Sequence, residues 1–363
     1  MKFSLHALHA LPANLLNRGD DGEPKTIKIG GTLRLRNSSQ SWKRDMRSYN
    51  RANGAGDLTH AMRTQELPKL IIDALVELGH DRDEAVAKVY EVMKSRGLKV
   101  NDSGKTAVML FLPEGAEERV AKVISEDWDE IQIGKGAPEA TVERVTNQFD
   151  ENRNLDLALY GRFLAEVSGS TIDGALCLAH PMGVDELNVV SDFFTAVEDR
   201  GDSERTTSGM MGSVPLTSGI FYRYAALDLD MLAKRYEGDM DAVRTTVQAV
   251  TDAFTNAMPQ AKRTSTAAFT SPSIVMSVLG RRPVYLADAF TKAVRYNPAE
   301  PERDTMTIAI ERLLHAHDRS VRRNPRVYEG NGLLLPLGVD ETSLPSTVAD
   351  VVETVEDLAG SVK

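Results

Sequence analysis

Apolar and polar positions alternate over residues 1–11, MKFSLHALHAL, as in a strand, and the alternation then gives way to a glycine-containing, cation-rich connection. From Ser38 the spacing changes to that of a helix over 39–51. Trp42, Met46 and Tyr49 fall at i, i+4 and i+7 on one face, while Gln40, Lys43 or Arg44, Arg47 and Arg51 fall on another. Between Glu66 and about Asn154 the pattern predicts four helices: KLIIDALVELG, RDEAVAKVYEVMKSRG with Gly97 as its C-cap, EERVAKVISEDWDEI and PEATVERVTNQFDE. Only TAVMLFL at 106–112 interrupts them with strand character. Strands are expected again at LDLALYGRF (155–163), DGALCLAHP (173–181) and GIFYRYAALDLD (219–230). The mixed segment between the last two has a polar, glycine-rich centre at 199–212, as at the tip of a long hairpin. A helix at about 239–257, stopped by Pro259, precedes the strand SPSIVMSVLG. TMTIAIERLLHAHDRSVRR, GLLLPLG and TVADVVETVEDLAG then give helix, strand and helix. The whole reads as an α+β protein on a single antiparallel sheet with a helical insertion and one long hairpin.

Composition sharpens this picture at two points. The 363 residues, 42% of them hydrophobic, allow two or three domains with a sizeable core, and the single cysteine, Cys177, excludes an internal disulfide and a cysteine-based zinc site. That usage fits a reducing cytoplasm, and no apolar run has the length to cross a bilayer, so no membrane partner is expected. The opening MKFSLHALHALPANLL imitates a secretory signal, but its two histidines and Pro12 favour a strand. Charge is the second point. The chain carries a net −10, yet Pro24–Arg51 holds eight Lys or Arg against one acid, Asp45. A local +7 in an acidic protein is the electrostatic footprint of a polyanion site. Lys25, Lys28, Arg34 and Arg36 alternate around Gly30-Gly31, and Asn37, Ser38 or Ser39 can cap the following helix, so strand, glycine pair, hydroxyls and helix start form a candidate phosphate track. The plainer alternative is a solvated basic helix beside a bulge.

Other chemistry is thinner. SGKT at 103–106 resembles a phosphate loop, but Lys99 stands where the motif needs its first glycine and strand character follows, which places Lys105 on a hairpin. His6 with His9, and His315 with His317, lack the spacing of a helical zinc site, so neither metal nor cofactor is expected. A metal-independent endoribonuclease using His6 or His9 remains an alternative, as does a small-anion or nucleotide binder using Gly30-Gly31. Ser38, Ser39 and Ser41 have no nucleophile-elbow setting. On the hairpin, Phe193, Phe194, Val197, Met210, Met211, Val214 and Leu216 either protrude as an apolar wedge or fold back into the core.

Several blocks in order resemble the CasC family, the crRNA-binding backbone subunit of the type I-E CRISPR Cascade complex. They are Leu16-Asn17-Arg18, Gly30-Gly31, RLRNSSQSWKRDMR at 34–47, FFTAVED at 193–199, SGIFYRYA at 218–225, and Ala261-Lys262 followed by TAAF at 266–269. The resemblance implies an RRM-like (ferredoxin-like) antiparallel-sheet palm with a helical fingers insertion and a β-hairpin thumb. The corresponding division is 1–58 palm, 59–154 fingers, 155–181 palm strands, 182–217 thumb and 218–363 palm. It implies no catalysis. The expected partners are crRNA, neighbouring copies stacked head to tail, other Cascade subunits, and target DNA through pairing with the RNA, in the cytoplasm. Carried over by position, Arg18, Lys25 and Lys28 look like loop cations, and Ser38, Ser39, Gln40, Lys43, Arg44 and Arg47 like phosphate contacts. Phe163 stands where the family has a methionine that packs on a base, Lys262 lies in a further matching block, and Phe193, Phe194, Thr195 and Val197 match the thumb wedge.

Overall fold

Strand β1 (Lys2–Asn14) leads into a short hairpin of β2 (Thr26–Ile29) and β3 (Thr32–Leu35), and helix α1 (Ser39–Asn53) follows. These bounds, and all that follow, come from a computed structural model, which describes residues 1–163, 171–197, 208–327 and 335–337. Next come β4 (Ala61–Thr64), α2 (Leu67–Glu77), α3 (Arg82–Ser95), β5 (Leu110–Pro113), α4 (Ala116–Glu126), α5 (Glu139–Asn147) and α6 (Leu155–Tyr160). The chain continues through β6 (Leu176–Leu178), β7 (Met182–Gly183), β8 (Asn188–Val197), β9 (Ser208–Asp228), α7 (Leu229–Arg235), α8 (Met240–Asn256), α9 (Arg263–Thr266), β10 (Ile274–Gly280), α10 (Thr305–Arg323) and β11 (Leu335–Leu337). The helix expected at TVADVVETVEDLAG lies outside the described residues.

Two compact units result, one of residues 1–53, 177–228 and 247–363, the other of 54–176 and 229–246. The expected palm segment 155–181 is thus divided between them. The second unit gathers α2, α3, α4 and α5 around Leu67, Ile71, Leu75, Val89, Val92, Val120, Ile124 and Phe149. Asp81 starts α3 by accepting hydrogen bonds from the Asp83 and Glu84 amides, and Gly97, in the left-handed region at φ 87°, ends it as the sequence predicts. Lys105 sits on the turn from Asn101 and pairs with Glu66 at 3.0 Å, which accounts for SGKT without a phosphate. Of TAVMLFL, only the end is strand, in β5.

The strand expected over 155–163 is instead α6. Leu155, Leu157 and Leu159 mimic strand alternation, but the Asn154 side chain accepts the Leu157 amide as an N-cap and Leu155–Leu159 are all buried. Leucine and alanine favour the helix, and Gly161 at φ 65° stops it. The local N-cap was the signal that the alternation obscured.

In the first unit the sheet runs β11-β10-β1-β9-β6, with β7 and β8 also paired to β9. β9 serves two partners in turn: Ser208–Ser218 pairs β8 as a long hairpin, and Gly219–Asp228 pairs β1 antiparallel. Both faces of β1 are covered. His6, Leu8, Tyr222, Tyr224 and Met276 face a core completed by Phe290, Leu313 and Ala316, the last two on α10. His9 and Arg223 face Trp42 of α1 and Phe254 of α8. Among the described residues no helix is long and apolar enough to cross a membrane.

The Arg223 guanidinium lies between two rings, 3.8 Å from the Trp42 centroid and 4.6 Å from that of Phe254. It donates to the Phe254 carbonyl and to His9 Nδ1 at 3.1 Å, so that His9 Nε2 must carry its proton toward Thr270 at 2.9 Å. Burial, reinforced by Arg223, depresses the His9 pKa to about 3. A histidine depressed in this way is protonated in the unfolded chain but not in the native one between about pH 3 and 6.5, so its contribution to stability is lost as pH falls through that window. His9→Gln is expected to flatten the pH dependence of unfolding free energy between pH 4 and 6 by up to ~1.4 kcal/mol per pH unit, as read from urea titrations at each pH.

Candidate nucleic-acid interface

The cationic stretch is shaped by a chain of hydrogen bonds centred on Asn17. The Asn17 carbonyl accepts the Lys25 amide at 3.0 Å, the Lys25 carbonyl accepts the Arg36 amide at 2.9 Å, and Asn17 Oδ1 accepts the Ser38 amide at 3.0 Å. Ser38 Oγ in turn accepts the Ser41 amide at 3.2 Å, which makes Ser38 the N-cap of α1. His180 Nδ1 accepts the Ser39 amide at 2.9 Å, and the Asn37 amide donates to the Pro181 carbonyl. The loop bearing Arg18, the base of the β2–β3 hairpin and the start of α1 are thereby tied into one surface. Sequence reasoning assigned no role to Asn17 or His180. Neither carries a local signal, since each accepts an amide of a segment distant in sequence.

Helix α1 follows its pattern. Trp42 and Met46 are buried and Tyr49 half-buried, and the outer side presents exposed Gln40, Arg44 and Arg51 with half-buried Lys43 and Arg47. Lys43 and Arg47 are four residues apart, which brings their Cβ atoms to within about 6 Å on one face. Burial pushes the Lys43 ammonium below its usual pKa, the nearby Cys177 thiol opposing the shift. Asp45, the one acid of the stretch, is raised to about 6 by desolvation despite Arg44. Arg18 and Lys28 are exposed, and Lys25 half-buried.

Two parts of the expected track have other work. Arg34 is fully buried, and its guanidinium donates to the carbonyls of Gly183, Val184, Phe290 and Thr291 at 2.9–3.3 Å. It fastens the hairpin to the body of its unit and cannot meet a phosphate. Gly30 and Gly31, at φ 57° and 83°, form the two-residue turn joining β2 to β3. A Cβ on Gly30 would stand 1.8 Å from the Thr291 carbonyl oxygen, so the close approach that glycine permits is to this chain's own backbone rather than to a ligand.

His6 and His9 point to opposite sheet faces, as their spacing predicts, and both faces are sealed. His6 meets the Tyr222 hydroxyl at 2.8 Å and is pushed by burial to a pKa of about 3, like His9. Neither can reach a bound RNA, so the endoribonuclease alternative loses its acid and base. Among the described residues no three His, Cys, Asp or Glu side chains are placed to hold a metal.

The hairpin carries several apolar residues outward, with Val214 and Leu216 half-buried. Phe193 is 66% exposed, and Phe194 is 38% exposed because its ring lies over Gly212 on the facing strand. Thr195, Met210 and Met211 are exposed as well, while Val197 is the last β8 residue and pairs with Ser208. In the second unit Phe163 is 80% exposed at a cleft of about 540 Å³ lined also by Arg63, Met109, Phe111 and Ile172. Lys262, half-buried, adopts the left-handed conformation at φ 58° ahead of α9.

Comparison with known proteins gives this chain a family. The pattern defining the CT1975-like proteins matches residues 3–333. The chain belongs to the CT1975-like protein family. This CT1975-like chain also superposes on a chain of a "CRISPR RNA-guided surveillance complex, pre-nicking" with a TM-score of 0.83 at 30% identity, covering 99% of this chain and 100% of the other. A chain of a second "CRISPR RNA-guided surveillance complex" matches at TM-score 0.74 and 27% identity, with the same coverage. No curated protein matches. The resemblance to CasC drawn from the ordered motif blocks is borne out. Asn17→Ala is expected to lower stability by about 1–2 kcal/mol through loss of its contact to the Ser38 amide, measurable as a reduced urea midpoint.

Proposed function

We propose that this CT1975-like protein is the non-catalytic, guide-RNA-binding backbone subunit of a type I-E CRISPR surveillance complex in the cytoplasm. The observation that supports the reading is the end-to-end superposition on a chain of a "CRISPR RNA-guided surveillance complex, pre-nicking" at TM-score 0.83. The cationic α1 surface supplies the chemistry. Arg18, Lys25, Lys28, Ser38, Ser39, Gln40, Lys43, Arg44 and Arg47 grip successive phosphates of crRNA, with Lys262 beyond them and Phe163 against a base. Copies stack head to tail along the RNA, a heterologous contact that is open-ended unless the RNA limits it. Other subunits of the complex complete the particle.

The palm is RRM-like on this reading. Supporting it is the strand order β10-β1-β9-β6, with α1 in the crossover from β1 to β6 and α8 in the one from β9 to β10. An ordinary RNA-recognition sheet stacks bases on its open face, but here Tyr222 and Tyr224 lie buried among the residues of the α10-side core. RNA is therefore held on the helix and loops, through phosphates and shape. The β8–β9 hairpin acts as a thumb whose Phe193, Phe194, Thr195 and Val197 kink the strand and displace a base. The remaining base edges stay free to pair with target DNA, which is how a subunit that serves any guide must work.

Salt titration tests the track. Replacing Lys43 and Arg47 with alanine is expected to weaken binding to single-stranded RNA and to reduce the slope of log K against log salt by about 0.7 per lost phosphate contact, or about 1.4 for the pair. An unchanged slope would remove these two side chains from the phosphate path.

A further inference from the structure

The segment between α8 and β10 is built in an unusual way. Lys262 and Ala267, neither of them glycine, take left-handed φ values of 58° and 45°, and Glu237 is the one other such non-glycine among the described residues. Such conformations are disfavoured for residues that carry a Cβ and persist only where surroundings enforce them. Here the surroundings are firm. The Lys262 carbonyl accepts the amides of Ser265 and Thr266, and the Ala267 amide returns to the Arg263 carbonyl. Thr270 donates to the Ala10 carbonyl and accepts from His9, and the Ser273 amide donates to the Leu8 carbonyl.

The product of this geometry is an exposed phenyl ring. Ala268 is 3% exposed, whereas Phe269 beside it is 65% exposed. The Arg263 guanidinium lies 5.4 Å from the centre of the Phe269 ring and is itself held by Gln260 Oε1 at 2.7 Å. Ring and guanidinium border a small cleft shared with Leu16, Met258 and Ala268. Leu16 directly precedes Asn17 and Arg18, so this ring stands at the end of the surface that Asn17 organises. An apolar ring held in solvent by two strained residues, with a cation against it and the cationic track alongside, matches what a stacked base requires: a planar apolar face and nearby positive charge.

We infer that Phe269, with Arg263 beside it, is a stacking platform for one nucleobase of the bound RNA. This rests on the RNA-binding reading above and adds to it a contact that phosphate chemistry does not supply. Arg263 covers part of the ring, and the base takes the open part. Stacking tolerates any base and leaves its pairing edge exposed.

The test uses the full chain and a set of RNA oligonucleotides, each with a single 2-aminopurine at a different position. Wild-type protein is expected to quench the fluorophore at the position that occupies the platform. Phe269→Ala and Phe269→Leu abolish that quenching and weaken binding about 5- to 100-fold with the salt slope unchanged, while Phe269→Trp restores both. Exposure of Phe269 makes these variants foldable, and equal thermal midpoints verify it. Quenching and affinity that survive Phe269→Ala overturn the platform alone and leave the phosphate track standing. Wild-type protein that binds no RNA overturns both.

Discussion

A guanidinium held out of water fixes the position of the cationic helix. Isolated, a buried charge is costly, and the Arg223 side chain is tolerated because every direction around it is answered: two ring faces, a carbonyl and an imidazole nitrogen. Burial lowers its pKa to about 9, which still leaves it charged at neutral pH. Burial, reinforced by that charge, keeps His9 neutral, and neutral His9 in turn holds Thr270. One residue of β9 thus sets the seat of α1 through Trp42, the seat of α8 through Phe254, and one anchor of the segment carrying Phe269. Because Trp42 and Met46 can face the sheet only one way, Gln40, Lys43, Arg47 and Arg51 are turned outward.

Buried Arg34 and the surface cations show why residue type alone does not mark a phosphate site. Arg34 and Arg36 are two positions apart on the same extended segment, yet Arg34 points inward to four carbonyls and Arg36 stays half-exposed. Alternation alone would put i and i+2 on one face, but β3 ends at Leu35 and Arg36 lies beyond it, so its side chain is released from the strand's register. A basic count over Pro24–Arg51 therefore overstates the charge available to a ligand by at least the one buried guanidinium. On the proposed reading the acidic remainder of the chain makes what is left more selective, since like-charge repulsion elsewhere would confine a polyanion to this surface.

Much of the architecture was legible because it rests on local patterns: β1, α1, α2 to α5, the long hairpin, α8, β10 and α10 all follow from periodicity and caps. Helix α7 was not read, its first residues having been placed in the strand expected over 219–230. Helix α6 fell to a coincidence between leucine alternation and complete burial, conditions under which period no longer distinguishes helix from strand. The division into units was less readable, since 229–246 joins residues far earlier in the chain. For the candidate site, α1 and the hairpin residues could be named from spacing and resemblance. Asn17 and His180 could not, because what they do is accept backbone amides of segments distant in sequence. The burial of Arg34 and of both histidines is likewise a product of sheet packing, which one strand's sequence does not contain.

The covered sheet constrains how any RNA-binding role can be performed. On the proposed reading the sheet is RRM-like; such sheets ordinarily read bases with aromatic residues on an open face, and this chain carries tyrosines in the run FYRY. Tyr222 packs against Tyr285 and Phe290, and Tyr224 against Tyr285 and His6, so neither is offered to a ligand. Aromatic and apolar contacts must then come from the periphery, where Phe193, Phe269 and, in the second unit, Phe163 are the strongly exposed phenylalanines among the described residues. Single exposed rings carried on separate elements each offer a face to one base. On the proposed reading that is an advantage: phosphates fix the path of the guide, scattered rings interrupt its stacking, and the runs of bases between them remain available for pairing.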